Sequence, residues 1–466
     1  MSSKFIFVQR IYSQNICSYF PMEYIRRIQI KKHMKTFFLS VVIAFSFFTI
    51  HAQAPNPALI GYFHNWQDAN APYIQLDQVD ARYNMIDIAF AVPIAPTTYK
   101  MQFVPDQVSS STFISQIQTL HTQGRKVIIS LGGATSSIKI NTYTQRDTFV
   151  ATMSAILSTY DFDGMDLDFE GSSVMLTGGT IAAPIDSSLI YLIGGVKQIM
   201  SNYYTAKNKH LILTMAPETA FVQGGQSAFA GIWGAYLPVI HGLRDSLDIL
   251  HVQLYNSGTM LGVDGNIYAQ STADFIVSMC EAVIHGFTTA GGNFIGLPAS
   301  KVAVGLPACS SAAGGGYTDT ATVSAAIRYL KGIGPKPGSY TLANASGYPS
   351  FRGMMTWSIN WDAVASCGGV YEYASMYEHL FGLPNAVTSV QENNLEVYPN
   401  PSNDKIMVQL PTSTVFPKEV KMMNAVGQMM YEKTWMSSNN QIDVSHFPKG
   451  IYVIQIDNKT SKIVVK

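Results

Sequence analysis

The sequence predicts an α/β fold, a (β/α)8 TIM barrel, followed by a small all-β sandwich domain. Three observations carry that prediction. Eight short β-rich runs alternate with segments of helical period between residues 58 and 360. Polar residues gather at the C-terminal ends of those runs. Beyond residue 394 the pattern changes to apolar and polar residues alternating between Pro, Gly and Asn turns. A doubly wound open sheet is the runner-up, but no GxGxxG follows the first run.

In chain order, residues 1–33, with Arg26, Arg27, Lys31 and Lys32, have no evident structural role and read as a start placed too early. MKTFFLSVVIAFSFFTIHAQ, from Met34, has a short basic beginning, an apolar stretch from Phe37 to Ile50 and a small residue at Ala52, the pattern of a signal peptide over 34–52. The apolar stretch is too short to span a bilayer comfortably and no stop-transfer pattern follows, so no stable membrane span is expected.

The barrel is expected over 53–383. Its runs are ALIGYFHNW (58–66), MIDIAFAV (85–92), KVIISLGG (126–133), GMDLDFEG (164–171), LILTMAPE (211–218), DILHVQLYN (248–256), KVAVGLPA (301–308) and GMMTWSIN (353–360). Between them lie amphipathic stretches such as RDTFVATMSAILSTY and STADFIVSMCEAVIHGF. A barrel places its chemistry at the C-terminal strand ends, where His64, Asn65, Ser130, Glu170, Glu218, Tyr255, Asn256, Ser358 and Asn360 fall. After the helix-like YEYASMYEHLFG the barrel should end near Gly382, with a linker at 384–394 and the sandwich at 395–466.

At 47% hydrophobic and 13% charged, the chain is globular. Residues 1–52 hold seven Lys or Arg and one Glu, which leaves 23 basic and 29 acidic residues beyond them. Residues 53–394 hold 15 basic and 23 acidic residues, so the basic stripe that meets phosphates is missing and nucleic acid is not expected as a partner. Cys17 lies in the leader; Cys280, Cys309 and Cys367 allow one disulfide and one free thiol, and spacing does not choose the pair. No CxxC metal motif occurs.

The stretch with the most chemistry is DFDGMDLDFEG (161–171). In a strand, residues two apart share a face, so Asp166, Asp168 and Glu170 point one way and Met165, Leu167 and Phe169 the other. Three carboxylates in one low-dielectric site cannot all ionise cheaply; at least one keeps a proton near neutral pH, as a glycosidase acid must. A structural salt-bridge cluster would need basic partners, which the other strand ends hardly offer. A hard cation on D-x-D, and hence a metal-dependent hydrolase, is the second functional class, to be separated by a chelator.

DGMDLDFE (163–170) resembles the DGxDxDxE signature of family 18 glycoside hydrolases, the chitinases, and SLGG (130–133) resembles their SxGG motif. QLYN (253–256) is similar to the sixth-strand motif of a bacterial branch with a QxYN motif, and Trp357 matches the aromatic floor of the cleavage subsite. The resemblance implies a retaining, substrate-assisted mechanism that needs no metal or other cofactor. Glu170 would protonate the glycosidic oxygen, and Asp168 would orient the 2-acetamido group whose oxygen attacks the anomeric carbon. Asp166 would share a proton or hydrogen bond with Asp168. Tyr255 would stabilise the forming ring. Gln253, Asn256, Trp357, Ser130, Tyr62 and Met215 would bind substrate. Asp163 and Gly164 would shape the start of the strand, and His64 would be a structural histidine or a substrate contact. Only 44 residues separate the seventh and eighth runs, without the large insertion of processive members, so an open groove and endo cleavage are expected.

LEVYPNPSND (395–404), NAVGQMM (424–430) and FPKGIYVIQI (447–456), followed by KTSKIVVK, resemble the type A sorting domain of bacterial type IX secretion. The expected protein is therefore a secreted monomer, possessing chitin or chitooligosaccharides as substrate and the type IX secretion machinery as partner. The alternatives are an endo-β-N-acetylglucosaminidase on N-glycans, a non-catalytic chitin-binding lectin, and, for the tail, a sugar-binding sandwich.

Overall fold

The computed structural model describes residues 54–382, 396–409, 416–424, 428–436, 441–456 and 459–466; the expected leader segments 1–33 and 34–52 and the expected linker 384–394 lie outside the described residues. Eight parallel strands follow the predicted runs: β1 (Ala58–His64), β2 (Met85–Pro93), β3 (Lys126–Gly132), β4 (Gly164–Asp168), β5 (Ile212–Met215), β6 (Ile249–Leu250), β7 (Ala303–Pro307) and β8 (Gly353–Trp357). They pair in the order β7-β8-β1-β2-β3-β4-β5-β6. The ring closes between β6 and β7 through single parallel bridges, Leu250 with Val302 and Gln253 with Gly305.

Helices α1 (Ser110–Thr122), α2 (Tyr143–Tyr160), α3 (Ser187–Lys207), α4 (Leu237–Leu243), α5 (Ala273–His285), α6 (Thr320–Leu330) and α7 (Glu372–Phe381) cover the outside, while the first crossover has only a 3-10 turn, Leu76–Gln78. In α1, Phe113, Gln116, Ile117 and Leu120 form the buried stripe that a 3.6-residue period requires. The helices begin where short polar side chains free the first turn from unpaired donors: Ser109, Thr142, Thr272 and Asp319 each accept a backbone N–H at an N-terminus. Alternation along the strands builds two apolar shells. Ala58, Ile60, Met85, Ile128, Ile212 and Met355 fill the barrel; Leu59, Phe63, Val127, Met165, Leu213 and Met215 pack against the helices. None of the helices among the described residues is long and apolar enough to cross a membrane.

The long connection between β7 and β8 contains α6 and no strand. Its later part is tied down by Glu281, which is buried on α5 and accepts the hydroxyls of Tyr340 and Tyr348 and the backbone N–H of Ala343. The disulfide joins Cys309 to Cys367, bridging the segments that follow β7 and β8, and Cys280 is a buried free thiol. Tyr317, Trp357 and Trp361 pack against that bridge. Replacing both cysteines by serine is expected to cost about 4 kcal/mol, the chain-entropy value for closing a loop of 58 residues. Thermal unfolding of the variant beside the wild type checks this, and an unchanged Tm would count against it.

The C-terminal module holds a three-stranded sheet, β9 (Glu396–Tyr398), β10 (Lys405–Gln409) and β13 (Gln441–Asp443), and a four-stranded one. The latter orders β12 (Met429–Trp435), β11 (Lys418–Asn424), β14 (Gly450–Ile456) and β15 (Lys459–Val465). Period-two burial is clearest in β14, where Tyr452, Ile454 and Ile456 are buried and Ile451 and Val453 face out. Trp435, the aromatic that a sugar-binding sandwich would display, is instead buried in this module's core, its indole N–H donating to the Tyr431 hydroxyl at 3.2 Å.

Candidate active site

The site is built on β4. Register places Asp166 beside Ser130 of β3 and Thr214 of β5, and Asp168 beside Gly132. Asp166 is fully buried and accepts three hydroxyls: Tyr62 at 2.6 Å and Ser130 at 2.8 Å on Oδ2, Thr214 at 2.7 Å on Oδ1. Burial alone would push its carboxyl up, but His251, followed by the Tyr62 and Thr214 hydroxyls, brings it below the ordinary aspartate range.

One step up the strand the balance reverses. Burial, then the neighbouring charges of Glu170 and Asp166, push Asp168 well above the usual carboxylate range. Burial also raises Glu170, less completely, since Gln253 and Asp168 hydrogen-bond to it. The two carboxyls are joined through Gln253, whose Nε2 donates to Asp168 Oδ1 at 2.8 Å and Glu170 Oε1 at 3.1 Å while its third contact, the Ala216 carbonyl at 2.9 Å, fixes the amide. Repulsion within the pair makes it keep a proton that isolated carboxyls would release.

The backbone beneath the pair is held tightly. Tyr236 accepts the Phe169 N–H at 2.8 Å and donates to the Leu167 carbonyl at 3.0 Å. Gly133 donates its N–H to the Asp168 carbonyl at 2.8 Å. Gly132 has φ +111°, and a Cβ there would lie 2.3 Å from the Asp168 carbonyl oxygen, so only glycine permits this approach.

Above the carboxyls opens a cleft of about 790 Å³ whose lining includes Trp66, Phe90 and Trp357, with Tyr255, Asn256 and Asp106 among its polar groups. The Phe90 and Trp357 rings are nearly parallel at 6.0 Å, and Trp66 and Phe90 lie 6.3 Å apart at 24°. Tyr255 is almost completely buried; burial, then Asp168 and Glu170, keep its hydroxyl protonated far above neutral pH.

Of the residues expected from the sequence, Glu170, Asp168, Tyr255, Gln253, Asn256 and Trp357 line this cleft. Ser130 and Tyr62, expected at the substrate, lie beneath it as fully buried donors to Asp166. Met215 departs further from its expected place: alternation in β5 points Thr214 inward, so Met215 joins the outer core among the helices. Asp163 accepts the Val127 N–H at 3.0 Å at the start of β4, as expected of a shaping residue. His64 is buried, bonded through Nε2 to the Ser358 hydroxyl at 2.8 Å and stacked on Trp66, with burial taking its pKa to about 4. The sequence reading missed Phe90, Thr214 and Tyr236, and it missed Asp87 and His251, which meet Asp166 on the barrel floor.

Residues 58–393 match the model of glycosyl hydrolases family 18, and residues 396–466 match that of the secretion system C-terminal sorting domain. Chitinase Chi52 of Paenibacillus xylanexedens is 45% identical over 311 residues, 66% of this chain and 58% of that protein. Chitinase ChiA of Flavobacterium johnsoniae is 32% identical over 430 residues, 87% of this chain and 27% of that protein. This chain thus spans little more than half of the first relative and about a quarter of the second. Among solved structures, a family GH18 chitinase from Chromobacterium violaceum is 35% identical with a TM-score of 0.61, covering 73% of this chain and 85% of that one. The Legionella pneumophila ChiA C-terminal domain is 25% identical with a TM-score of 0.56, covering 72% and 99%. By the match of 58–393, with the carboxylate ladder at its centre, the chain belongs to the glycosyl hydrolases of family 18.

Proposed function

We propose that the protein is a secreted chitinase that hydrolyses β-1,4-N-acetylglucosamine linkages, endo-acting and retaining, with the substrate's own acetamide as nucleophile. The observation that carries this reading is the Gln253 amide holding Asp168 and Glu170 together at the floor of an aromatic cleft. Glu170 donates a proton to the leaving oxygen, and Asp168 holds the acetamide N–H so that its carbonyl oxygen attacks the anomeric carbon. Glu170, now a base, takes a proton from the water that opens the resulting ring. Tyr255 faces the acetamide oxygen, and Trp357 stacks beneath the sugar.

The relatives' names support chitin as the substrate class. The β7–β8 connection, which holds one helix and no inserted sheet, supports internal cleavage. The sorting-domain match supports export through the type IX machinery to the cell surface or medium. Incubation with N-acetylglucosamine oligomers of defined length, and separately with a high-mannose glycoprotein, tests the reading. Mixed internal products from the oligomers, unaffected by chelator, are expected. Disaccharide released only from one end overturns endo cleavage; cleavage of the glycoprotein alone overturns chitin; loss of turnover with chelator overturns metal-independent chemistry.

A further inference from the structure

Beneath the ladder the barrel interior contains two ionisable side chains to which the mechanism gives no part. Asp87 of β2 and His251, just after β6, are both fully buried. Both carboxylate oxygens of Asp87 and both ring nitrogens of His251 lack a hydrogen bond. His251 Nε2 lies 3.4 Å from Asp166 Oδ1 and 3.8 Å from Asp87 Oδ2. The imidazole thus sits between two carboxyls, closer to the one that anchors the ladder.

The two carboxyls differ in what surrounds them. Asp166 accepts hydroxyls from Tyr62, Ser130 and Thr214, which suit an anion. Asp87 accepts none, and a buried carboxylate without donors is costly to ionise. Burial, then the charge of Asp166, accordingly hold Asp87 well above the aspartate range. An uncharged Asp87 leaves Asp166 as the anion nearest to Nε2, 3.4 Å away, a contact that favours the carboxylate by charge and dipole without a well-formed hydrogen bond. No other element interferes: β1 presents Tyr62, β3 Ser130 and Ile128, β4 Asp166 and Asp168, β5 Thr214 and Ile212, while β7 and β8 present the uncharged Ala303 and Met355.

We propose that His251 is a positioning residue for the reaction: directed by an uncharged Asp87, its Nε2–H holds Asp166 as an anion, so that the ladder's shared proton stays on Asp168 and Glu170 at the cleft. If Asp166 took that proton it would offer it back to Asp168 and draw the latter away from the acetamide. The inference rests on the mechanism given under the proposed function, and the two fail differently. Glu170→Gln tests the mechanism by a loss at every pH, whereas the His251 variants test the inference by displacing the pH profile.

The sign follows from the donor's effect. Asp166 must be ionised, so activity is present above its pKa and lost as pH falls through it; removing a donor raises that pKa and moves the acid limb upward. For His251→Leu, the acid limb of kcat on a chitin oligomer should move up by about one pH unit, so that kcat falls by up to about tenfold on the acid side of the wild-type optimum and much less at the optimum itself, with KM within about twofold. His251→Gln, which restores an N–H donor, should recover most of kcat and return the limb part of the way. A loss equal at all pH values, a rise in KM with kcat kept, or equal losses in the two variants with Tm intact overturns the proposal. Where the leucine variant does not fold, the glutamine variant decides alone: its acid limb must lie above that of the wild type, and an identical profile overturns the proposal. A stoichiometric metal in the purified wild type, lost on changing His251, also overturns it, because Asp87, His251 and Asp166 would then be ligands.

Discussion

Glu170→Gln is expected to lower kcat on chitin oligomers by roughly a thousandfold or more, within the range of a lost general acid, while Tm and oligosaccharide binding stay near wild type. Glutamine keeps the shape of the side chain and an oxygen for the Gln253 amide, which now donates to Glu170 Oε1 at 3.1 Å. What it lacks is a transferable proton. The wild-type proton is kept by burial and by the shared environment with Asp168. A proton donor is present below its pKa and lost as pH rises through it, so the raised pKa of Glu170 extends activity toward neutral pH and sets the alkaline limb. Steady-state hydrolysis beside calorimetric binding of the same oligomer separates the effects. Turnover within tenfold of wild type would remove Glu170 from its role.

The alternation that made this residue legible in the sequence was of period two, and wherever that period ran unbroken the structure follows it. Asp166 and Asp168 fall on one face because β4 is a regular strand, and Glu170 continues that direction just beyond its end. Helices with clear stripes and caps were equally legible. What the run DILHVQLYN hid is that only Ile249 and Leu250 form regular ladder, with Gln253 held by single bridges to Glu218 and Gly305. The first crossover carries a 3-10 turn where the repeating pattern implied a helix, since no amphipathic stretch of sufficient length lies between β1 and β2.

The site was legible where several polar groups recur, and obscure where a single one stands in an apolar run. Asp87 in MIDIAFAV and His251 in DILHVQLYN each read as isolated residues. A signal was nonetheless present, because Asp87 has the parity of Met85 and Ala89, and His251 that of Ile249 and Gln253, all directed into the barrel. The same parity would have kept Met215 out of the substrate contacts, since it alternates with Thr214. Tyr62 and Ser130 have the right parity but the wrong height: their strands bring them level with Asp166, below the cleft. Height depends on barrel stagger, which is a property of strand pairing across the closed sheet and is not carried by any one segment. Phe90 reaches the cleft from within β2, where the pairing with β3 shifts register between Ile88 and Ala91, and Trp66 from the loop just after β1, so period two describes neither.

A fully N-deacetylated oligomer is expected to be cleaved at least about a thousandfold more slowly than its acetylated counterpart, a modest share of the roughly 10⁵ M or more that well-oriented intramolecular groups reach. The reason lies in the spacing of the ladder. Asp168 and Glu170 are close enough for one amide to bind both, too close for Asp168 to act as base on a water held across the sugar from Glu170. Asp168 is itself pushed well above the usual range by burial and then by Glu170, so it is a poor nucleophile and a good partner for an amide. The nucleophile must then come from the substrate, and the free amine of a deacetylated sugar offers no carbonyl oxygen. Hydrolysis of matched oligomers at equal concentration, followed by separation of the products, gives the ratio directly. Comparable rates would mean that a protein carboxylate attacks the anomeric carbon, and the division of roles between Asp168 and Glu170 would have to be redrawn.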